Sequence, residues 1–232
     1  GTLLYATLLR LGGQPEQAKR TLDEAGLAAA GSAFGPSASG DAVPPQARLL
    51  ATALLIDTTH ALVPLASLGG ATTFWLRDGL GRTVHAQFER RTEALALLRL
   101  DRPLDAPALT LPPRDAFAGA PAHAVAYSDS APSWPALHTG FLAMAELGIE
   151  MPGAARGGPV FDAQGRLAGI ALRVDGRDRL LPASAMHELL PELSPAINPT
   201  PSPRLPLDEL YERALRVTLQ VLGAADSSKG NP

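Results

Sequence analysis

Short apolar runs separated by turn signals fill the middle of this chain, and they constrain its fold more than any other feature. Asp78-Gly79 between two of the runs is typical of a hairpin turn, and residues 162–165 form a second tight turn. Many short strands at this spacing predict an antiparallel barrel or sandwich. The predicted strands cover residues 49–56, 74–76, 84–88, 95–100, 122–127, 160–162 and 167–172, and a helical pattern returns only at 183–192.

The two ends of the chain differ from this middle part. Residues 1–30 carry apolar positions at helical spacing around a break at Gly12-Gly13, which predicts a helical hairpin. Its small and apolar positions resemble one tetratricopeptide repeat, and any other helical hairpin fits the pattern equally well. Residues 31–46 and 194–206 are rich in small, polar and proline residues, so both are predicted to be linkers.

Composition and motifs exclude several classes of function. The 232 residues contain no Cys, which excludes disulfides, thiol catalysis and cysteine-ligated metal sites. A net charge of −3 offers no electrostatic footprint for nucleic acid, and no apolar run approaches the ~20 residues of a membrane helix. The five His form no His-Glu-x-x-His motif, and no glycine-rich phosphate loop is present. We therefore expect no metal, no cofactor, no nucleic-acid partner and no membrane insertion.

The most informative motif lies at residues 157–170. It consists of Gly-Gly-Pro-Val-Phe-Asp from residue 157 and Gly-Arg-Leu-Ala-Gly-Ile from residue 165. This motif resembles the active-site strand pair of trypsin-like serine proteases of the bacterial HtrA (Deg) type, whose glycines permit the tight backbone of the oxyanion loop. Segments resembling other strands of the family follow in the family's order, at residues 52–57, 95–100, 117–127, 138–143 and 182–184. The resemblance implies a mainly β fold, a trypsin-like double antiparallel β-barrel over residues 47–193.

The three catalytic positions of that family depart from its pattern here. The family's Ser directly precedes Gly-Gly-Pro, where this chain has Arg156. The family's His corresponds to Ser67 or Ala66, and its Asp corresponds to Ala94, with Glu93 one residue earlier. A guanidinium stays protonated and cannot replace the serine as nucleophile. The resemblance therefore implies a pseudoprotease with degenerate triad positions Ser67, Ala94 and Arg156 and no catalytic residue.

A catalytic site rebuilt elsewhere is the alternative. Asp57, His60 and Ser67 are close in sequence, and they would have to form a new triad. Because these residues flank a predicted turn, polar positions at a turn and a strand end are the favoured interpretation. The remaining polar residues of note are assigned to a loop beside Trp134, comprising Ser128, Asp129, Ser130 and Ser133, and to a solvated linker with Asp101 and Asp105.

Residues 207–223 change their period partway along. Helical spacing up to Leu215 gives way to alternation at Val217, Leu219 and Val221, which predicts a helix running into a strand. This unit resembles the beginning of an HtrA-like protease domain. It implies either the start of a second trypsin-like domain within residues 207–232 or a terminal helix packed on this domain's own barrel.

Three functions are consistent with these observations. The leading hypothesis is a non-catalytic trypsin-like domain that binds a protein or peptide and acts as a scaffold or regulator, with a neighbouring protease domain among the candidate partners. The alternatives are a serine hydrolase with a rebuilt active site and a purely structural domain that positions or regulates an active protease domain. The family resemblance also implies a bacterial protein of the periplasm or cell envelope.

Overall fold

A computed structural model describes residues 39–105, 109, 112, 114–129, 131–144, 146–152, 157–188 and 203–224, together with four helical positions nearer the start, Gln17, Arg20, Thr21 and Glu24. For residues 131–133, 187 and 188 it describes the backbone alone. The helical hairpin predicted over 1–30 lies otherwise outside the described residues, as do Arg156 and residues 194–202 of the second predicted linker. The chain divides into two compact units, Gly1–Ala38 and Ser39–Pro232, and all the strands belong to the second.

The second unit is mainly β. Its strands are β1 (Ser39–Gly40), β2 (Arg48–Leu55), β3 (His60–Pro64), β4 (Thr73–Arg77), β5 (Arg82–Arg91), β6 (Leu95–Leu100), β7 (Pro121–Ser128), β8 (Ala131–Phe141), β9 (Gly158–Asp162), β10 (Leu167–Val174), β11 (Arg177–Pro182) and β12 (Thr218–Ala224). Two 3₁₀ helices, η1 (Leu65–Ser67) and η2 (Ala183–Glu188), and one α-helix, α1 (Leu207–Val217), complete the described elements. Each of the seven predicted strands coincides with part of an observed strand.

Six strands close into an antiparallel barrel in the order β5-β4-β12-β2-β3-β6, because β6 pairs again with β5. Closure leaves no free edge among these strands. The inward-facing side chains are almost all Leu, Val, Ala or Phe, and they are buried in one continuous core. The predicted first barrel is confirmed.

A second sheet, in the order β11-β10-β9-β7-β8, contains the other strands of the second unit apart from β1, which pairs with β5. Within the described residues this sheet has five strands, so a mainly β fold with one closed barrel and a second sheet is confirmed, and closure of the second sheet into a barrel stays a prediction. Residues 146–152 bridge β8 and β11: the Leu147 amide donates to the Asp178 carbonyl at 2.7 Å, and Gly140 faces Ile149. The side chains of Leu147, Ile149 and Met151 are buried, so this segment covers the open side without a regular ladder.

The last strand corrects the interpretation of residues 207–232 as the start of a second domain. The predicted change from helix to strand is confirmed, since α1 ends at Val217 and β12 begins at Thr218. However, β12 lies inside the first barrel, antiparallel to β2 on one side and to β4 on the other. Leu219 and Val221 are fully buried in the barrel core. The segment is therefore part of this domain.

The predicted linker 31–46 is also attached to the barrel over its described part. Ser39 and Gly40 pair with β5, and the Asp41 carboxylate accepts a hydrogen bond from the His85 amide at 2.8 Å and from Arg102 at 2.5 Å. These two bonds, the amide's first, hold the pKa of Asp41 below its usual value. The prediction of a flexible linker was therefore wrong for residues 39–41, because Asp41 anchors them through contacts distant in sequence.

Two matching turns, one in each sheet, hold the C-terminal segment. Asp78 and Asp162 each begin an Asp-x-x-Gly-Arg turn, and each carboxylate bonds two backbone amides and the arginine four residues on. The Gly79 amide of the first turn donates to the Leu215 carbonyl of α1 at 2.9 Å. The carbonyl of Ala163 in the second turn accepts from the Leu205 amide, also at 2.9 Å. The segment leading to β12 is thus fixed to both sheets.

Helix α1 has the charge pattern and apolar stripe of a surface helix. Asp208 and Glu209 lie in its first turn, where acidic side chains favour the helix dipole. Leu210, Ala214 and Val217 form the buried stripe at helical spacing. Among the described residues, no helix combines the length and apolar character needed to cross a membrane.

If β12 completes this barrel, truncating a buried side chain of the strand must destabilise the whole domain. We expect Leu219→Ala to lower the free energy of unfolding by about 2–5 kcal/mol, because the side chain is completely buried. The matched control is Leu207→Ala at the exposed start of α1, which should cost less than about 0.5 kcal/mol. Urea unfolding of the full chain measures both, and equal small effects would show that β12 does not belong to this core.

Candidate functional site

The two sheets meet along β2 of the first and β7 and β9 of the second. The Tyr127 amide donates to the buried hydroxyl of Thr52 at 2.9 Å. Gly158 has φ +134°, and a side chain there would collide with the Val125 carbonyl and press on Thr52. Tyr127 itself is fully buried, and burial strongly raises the pKa of its hydroxyl. The junction is therefore dry and close-packed.

Two of the three predicted triad positions, Ser67 and Ala94, lie on elements of the first barrel that are bonded to each other. Helix η1, which ends at Ser67, follows β3 directly, and its Leu65 amide donates to the Ala94 carbonyl at 2.9 Å. Ala94 stands in the turn before β6, where the Thr92 hydroxyl accepts from the Leu95 amide at 3.1 Å. Ser67 and Ala94 thus lie on neighbouring elements of the first barrel.

Arg156, the third triad position, lies outside the described residues. The residue after it, Gly157, has φ +76°, and a Cβ atom there would lie 2.9 Å from both Pro64 Cγ and the Ala171 carbonyl oxygen. Pro64 directly precedes η1, so Gly157 lies against the end of β3.

The described residues at the predicted triad positions lack acid–base side chains. Positions 64–67 are Pro, Leu, Ala and Ser, and position 94 is Ala. Ser67 is half-buried, and its hydroxyl makes no hydrogen bond to any described residue. A serine nucleophile requires a base within hydrogen-bond reach, and here the described residues supply none.

Asp57 and His60, the alternative pair, do contact each other, and the Thr59 hydroxyl lies 3.1 Å from His60 Nδ1. His60 Nδ1 lies 2.9 Å from Asp57 Oδ2, and His60 Nε2 lies 3.4 Å from Glu89 Oε2 on β5. Ser67 is not among the partners of His60. Both ring nitrogens therefore face carboxylates, and the pair joins a turn to a neighbouring strand.

The pKa of Asp57 follows from this arrangement. Partial burial works to raise it, but the Thr59 amide at 2.6 Å and the His60 ring favour the ionised form more strongly. The net effect holds the pKa of Asp57 below its usual value.

A second Asp–His pair was not foreseen from the sequence. His85 Nδ1 lies 2.6 Å from Asp101 Oδ2, and the other oxygen of Asp101 accepts from Gln87 at 3.0 Å. The His85 ring meets Trp75 edge-on, with 5.8 Å between ring centroids. Asp101 is exposed, as predicted for a solvated linker, but it is also bound to β5. The pairing spans sixteen positions of sequence, so no local motif signals it.

The other histidines do not form a catalytic cluster among the described residues. Burial lowers the pKa of His123, an effect that nearby Asp162 partly opposes, and burial also lowers the pKa of His138. The side chain of His187 lies outside the described part. The described residues contain no group of three His, Cys, Asp or Glu able to hold a metal ion.

The predicted polar loop at residues 128–133 is shorter than expected. Strand β7 extends to Ser128 and β8 begins at Ala131, so Ser133 lies in a strand instead of a loop. The strands continue pairing past a register shift, with Ser128 opposite Ala131. Ser130 lies outside the described residues.

Comparison with known proteins supports the trypsin-like fold. No protein-family model matches the sequence, and no curated protein sequence matches it. The HtrA-type protease AlgW, solved with a decapeptide, is similar in structure with a TM-score of 0.51 and 22% sequence identity; the match covers 62% of this chain and 50% of that one. The chain thus spans half the length of the AlgW chain that it matches.

Two further solved structures are similar at lower scores. Deg5 has a TM-score of 0.48 and 15% identity, covering 61% of this chain and 83% of its own. The Rv3671c protease in its inactive form has a TM-score of 0.49 and 15% identity, covering 64% of this chain and 87% of its own. The similarity to AlgW and the closed six-stranded barrel confirm the resemblance to the HtrA-type trypsin-like fold.

The Asp57–His60 contact predicts a measurable pKa difference. We expect the carboxyl pKa of Asp57 to lie below 3.8 in the native chain and to rise towards that value in His60→Ala, which removes one hydrogen-bond donor. Because the folded-state pKa is depressed, the contribution of Asp57 to stability is present above about pH 4 and is lost as pH falls through the folded pKa. NMR titration of the carboxyl carbon measures the change.

Glu89→Gln serves as the control for that titration. It changes the other neighbour of His60 and leaves the contacts of Asp57 intact. An Asp57 pKa that does not move in His60→Ala would show that the ring does not bind the carboxylate.

Proposed function

We propose that this chain is a non-catalytic trypsin-like domain that binds other proteins through an extended peptide segment. The observation that carries the proposal concerns Ser67 and Ala94, the positions that the family resemblance assigns to the catalytic His and Asp. No described His or carboxylate bonds to the Ser67 hydroxyl. The third position is Arg156, whose guanidinium has no nucleophilic lone pair at neutral pH.

The expected loss of activity is large. In trypsin-like chemistry the His removes the proton of the nucleophile, and the Asp keeps the His in the correct tautomer. Removing such a triad costs on the order of 10⁶ in turnover, and an oxyanion hole alone retains about 10³–10⁴ over water. A domain with none of the three groups has no efficient route to an acyl intermediate.

The alternative of a rebuilt hydrolase has two candidate Asp–His pairs, and neither is complete among the described residues. His60 has a carboxylate beside each ring nitrogen, and Ser67, the serine of the predicted rebuilt triad, does not bond to its ring. His85 is oriented by Asp101, but no described Ser or Thr hydroxyl bonds to its ring. The geometry therefore favours structural roles for both pairs.

We expect no labelling by a fluorophosphonate probe and no hydrolysis of casein or ester substrates above background. An activated serine is required for both, and Ser67 lacks a base. An active trypsin-like protease serves as the positive control. Turnover that disappears in Ser67→Ala or His60→Ala would contradict the proposal and favour the rebuilt hydrolase.

The edge of β11 is the surface that supports peptide binding best. Strand β11 pairs with β10 on one side only. The Leu181 carbonyl points towards β10, where it crowds Gly169, so the backbone groups of Leu180 point outwards. The neighbouring outward carbonyl, that of Asp178, already accepts from Leu147. An extended peptide could therefore add at Leu180, as in strand addition to an open sheet edge.

The HtrA-type protease AlgW, which was solved with a decapeptide, supports this mode. Backbone hydrogen bonds would supply affinity, and side-chain pockets beside the edge would supply specificity. This division lets the edge recognise peptides without any catalytic group.

We expect Leu180→Pro to weaken binding of peptides selected from a random library by about tenfold or more, because proline removes the outward amide. Leu180→Ala is the matched control, since it shortens the same side chain but keeps the amide. Fluorescence anisotropy with labelled peptides measures affinity, and thermal melting checks that both variants fold. Equal binding by the Pro and Ala variants would exclude strand addition at this edge.

A further inference from the structure

A pocket of about 460 Å³ lies at the end of the first barrel, at a place distinct from the β11 edge. Its walls come from the start of β2, from η1 and the turn after it, and from Gly223 near the end of β12. Asp129, from the turn between β7 and β8, completes it, so both sheets contribute. Its volume is typical of small-molecule sites, which occupy roughly 300–1,000 Å³.

The tight turn after η1 forms part of this pocket. The Leu68 carbonyl accepts from the Ala71 amide at 3.2 Å, so residues 68–71 form the turn, and Gly69 has φ +56°. Gly69 and Gly70, the two central residues of the turn, both line the pocket. The Leu68 amide is engaged by the Leu65 carbonyl at 3.1 Å, whereas no described group accepts from the Gly69 or Gly70 amides.

Two side chains add to these donors. Arg48 lines the same pocket, is exposed, and forms no ion pair with any described residue. The half-buried hydroxyl of Ser67 also lines the pocket and has no described hydrogen-bond partner. The pocket therefore combines a guanidinium, a hydroxyl and two amides, all able to donate to an oxygen anion.

The remaining lining groups indicate which anion fits. Asp129 is the one acidic side chain of the lining, so Arg48 is balanced by a carboxylate within the pocket. A doubly charged phosphate would meet that negative charge unfavourably, whereas a carboxylate carries a single charge. Leu49, Leu50 and Ala71 give the pocket an apolar wall, which suits a carboxylate attached to an aliphatic group.

From these observations we infer that the pocket binds a carboxylate, in the form of the C-terminal end of a peptide or a small aliphatic acid. The amides of Gly69 and Gly70, the Arg48 guanidinium and the Ser67 hydroxyl hold the oxygens. The apolar wall contacts the adjoining aliphatic group.

The test is titration of the full ¹⁵N-labelled chain by NMR, with the Gly69 and Gly70 amides as reporters. The probes are an N-acetylated aliphatic tripeptide with a free carboxylate, the same tripeptide with a C-terminal amide, acetate alone, and inorganic phosphate. We expect the free acid to cause saturable shifts at Gly69 and Gly70. The amide should bind about tenfold more weakly or worse, because it loses charge-assisted hydrogen bonds.

Matched variants separate the pocket from non-specific binding. Gly70→Pro removes one donor amide and should weaken binding of the acid by about tenfold or more, whereas Gly70→Ala keeps the amide and has open space for the methyl group. Arg48→Gln should weaken binding to a similar degree. Arg216→Gln, which removes an exposed arginine of α1 outside this pocket, should leave binding unchanged.

The titrations distinguish a peptide end from a small acid as the ligand, and they show which results would contradict the inference. Tripeptide acid that binds more tightly than acetate identifies a peptide end as the ligand, and equal affinity identifies a small acid. Equal binding of acid and amide, tighter binding of phosphate, or no saturable shift at Gly69 and Gly70 at millimolar concentrations would each overturn the inference. Since no β11 residue lines the pocket, the Leu180 variants report on the other surface independently.

Discussion

The first barrel depends on the double ladder that β12 forms with β2 and β4. A strand inside a closed sheet satisfies the backbone groups of both neighbours, and without it β2 and β4 would each expose an edge. The same strand supplies Leu219 and Val221 to the core. It reaches its place through a segment bound to one turn of each sheet, at Ala163 and at Gly79. The barrel therefore closes with a strand whose preceding segment is attached to both sheets. The helix–strand unit of α1 and β12, which resembles the beginning of an HtrA-like protease domain, follows the other described strands of this domain in the sequence.

The junction of the two sheets is held by contacts that do not involve the predicted triad positions. Thr52 and Tyr127 join the sheets through a buried hydrogen bond, and Gly158 is fixed because any side chain would collide with Val125. Rigid placement of elements across such a junction presents a strand edge and a pocket in a constant arrangement. The recognition that we propose for this domain therefore depends on other atoms than catalysis would.

Local chemistry explains why most strands could be predicted from the sequence. Asp78-Gly79 marks its turn because the Asp carboxylate bonds amides only a few residues ahead, and the change of period near Val217 marks the start of β12 for a similarly local reason. The position of each segment in the fold, and its contacts with residues distant in sequence, could not be predicted in this way. The place of β12 between β2 and β4, the anchoring of Asp41 by Arg102, and the His85–Asp101 pair all join residues distant in sequence. The predicted triad positions rest on the resemblance to the HtrA-type proteases. Ser67 and Ala94 lie on neighbouring elements because one backbone hydrogen bond joins η1 to the turn before β6.

The two Asp–His pairs show how a catalytic motif differs from a structural one. A catalytic His has one ring nitrogen oriented by a carboxylate and the other open towards a nucleophile. His60 meets the first condition through Asp57 but places its other nitrogen against Glu89, so it links the turn before β3 to β5. His85 meets the first condition through Asp101, and its ring packs edge-on against Trp75. Proximity of Asp and His is therefore insufficient evidence of hydrolysis. Among the described residues, the outer edge of β11 at Leu180 and the turn at Gly69 and Gly70 have backbone amides without a described acceptor, and a ligand that supplies an acceptor gains hydrogen bonds there.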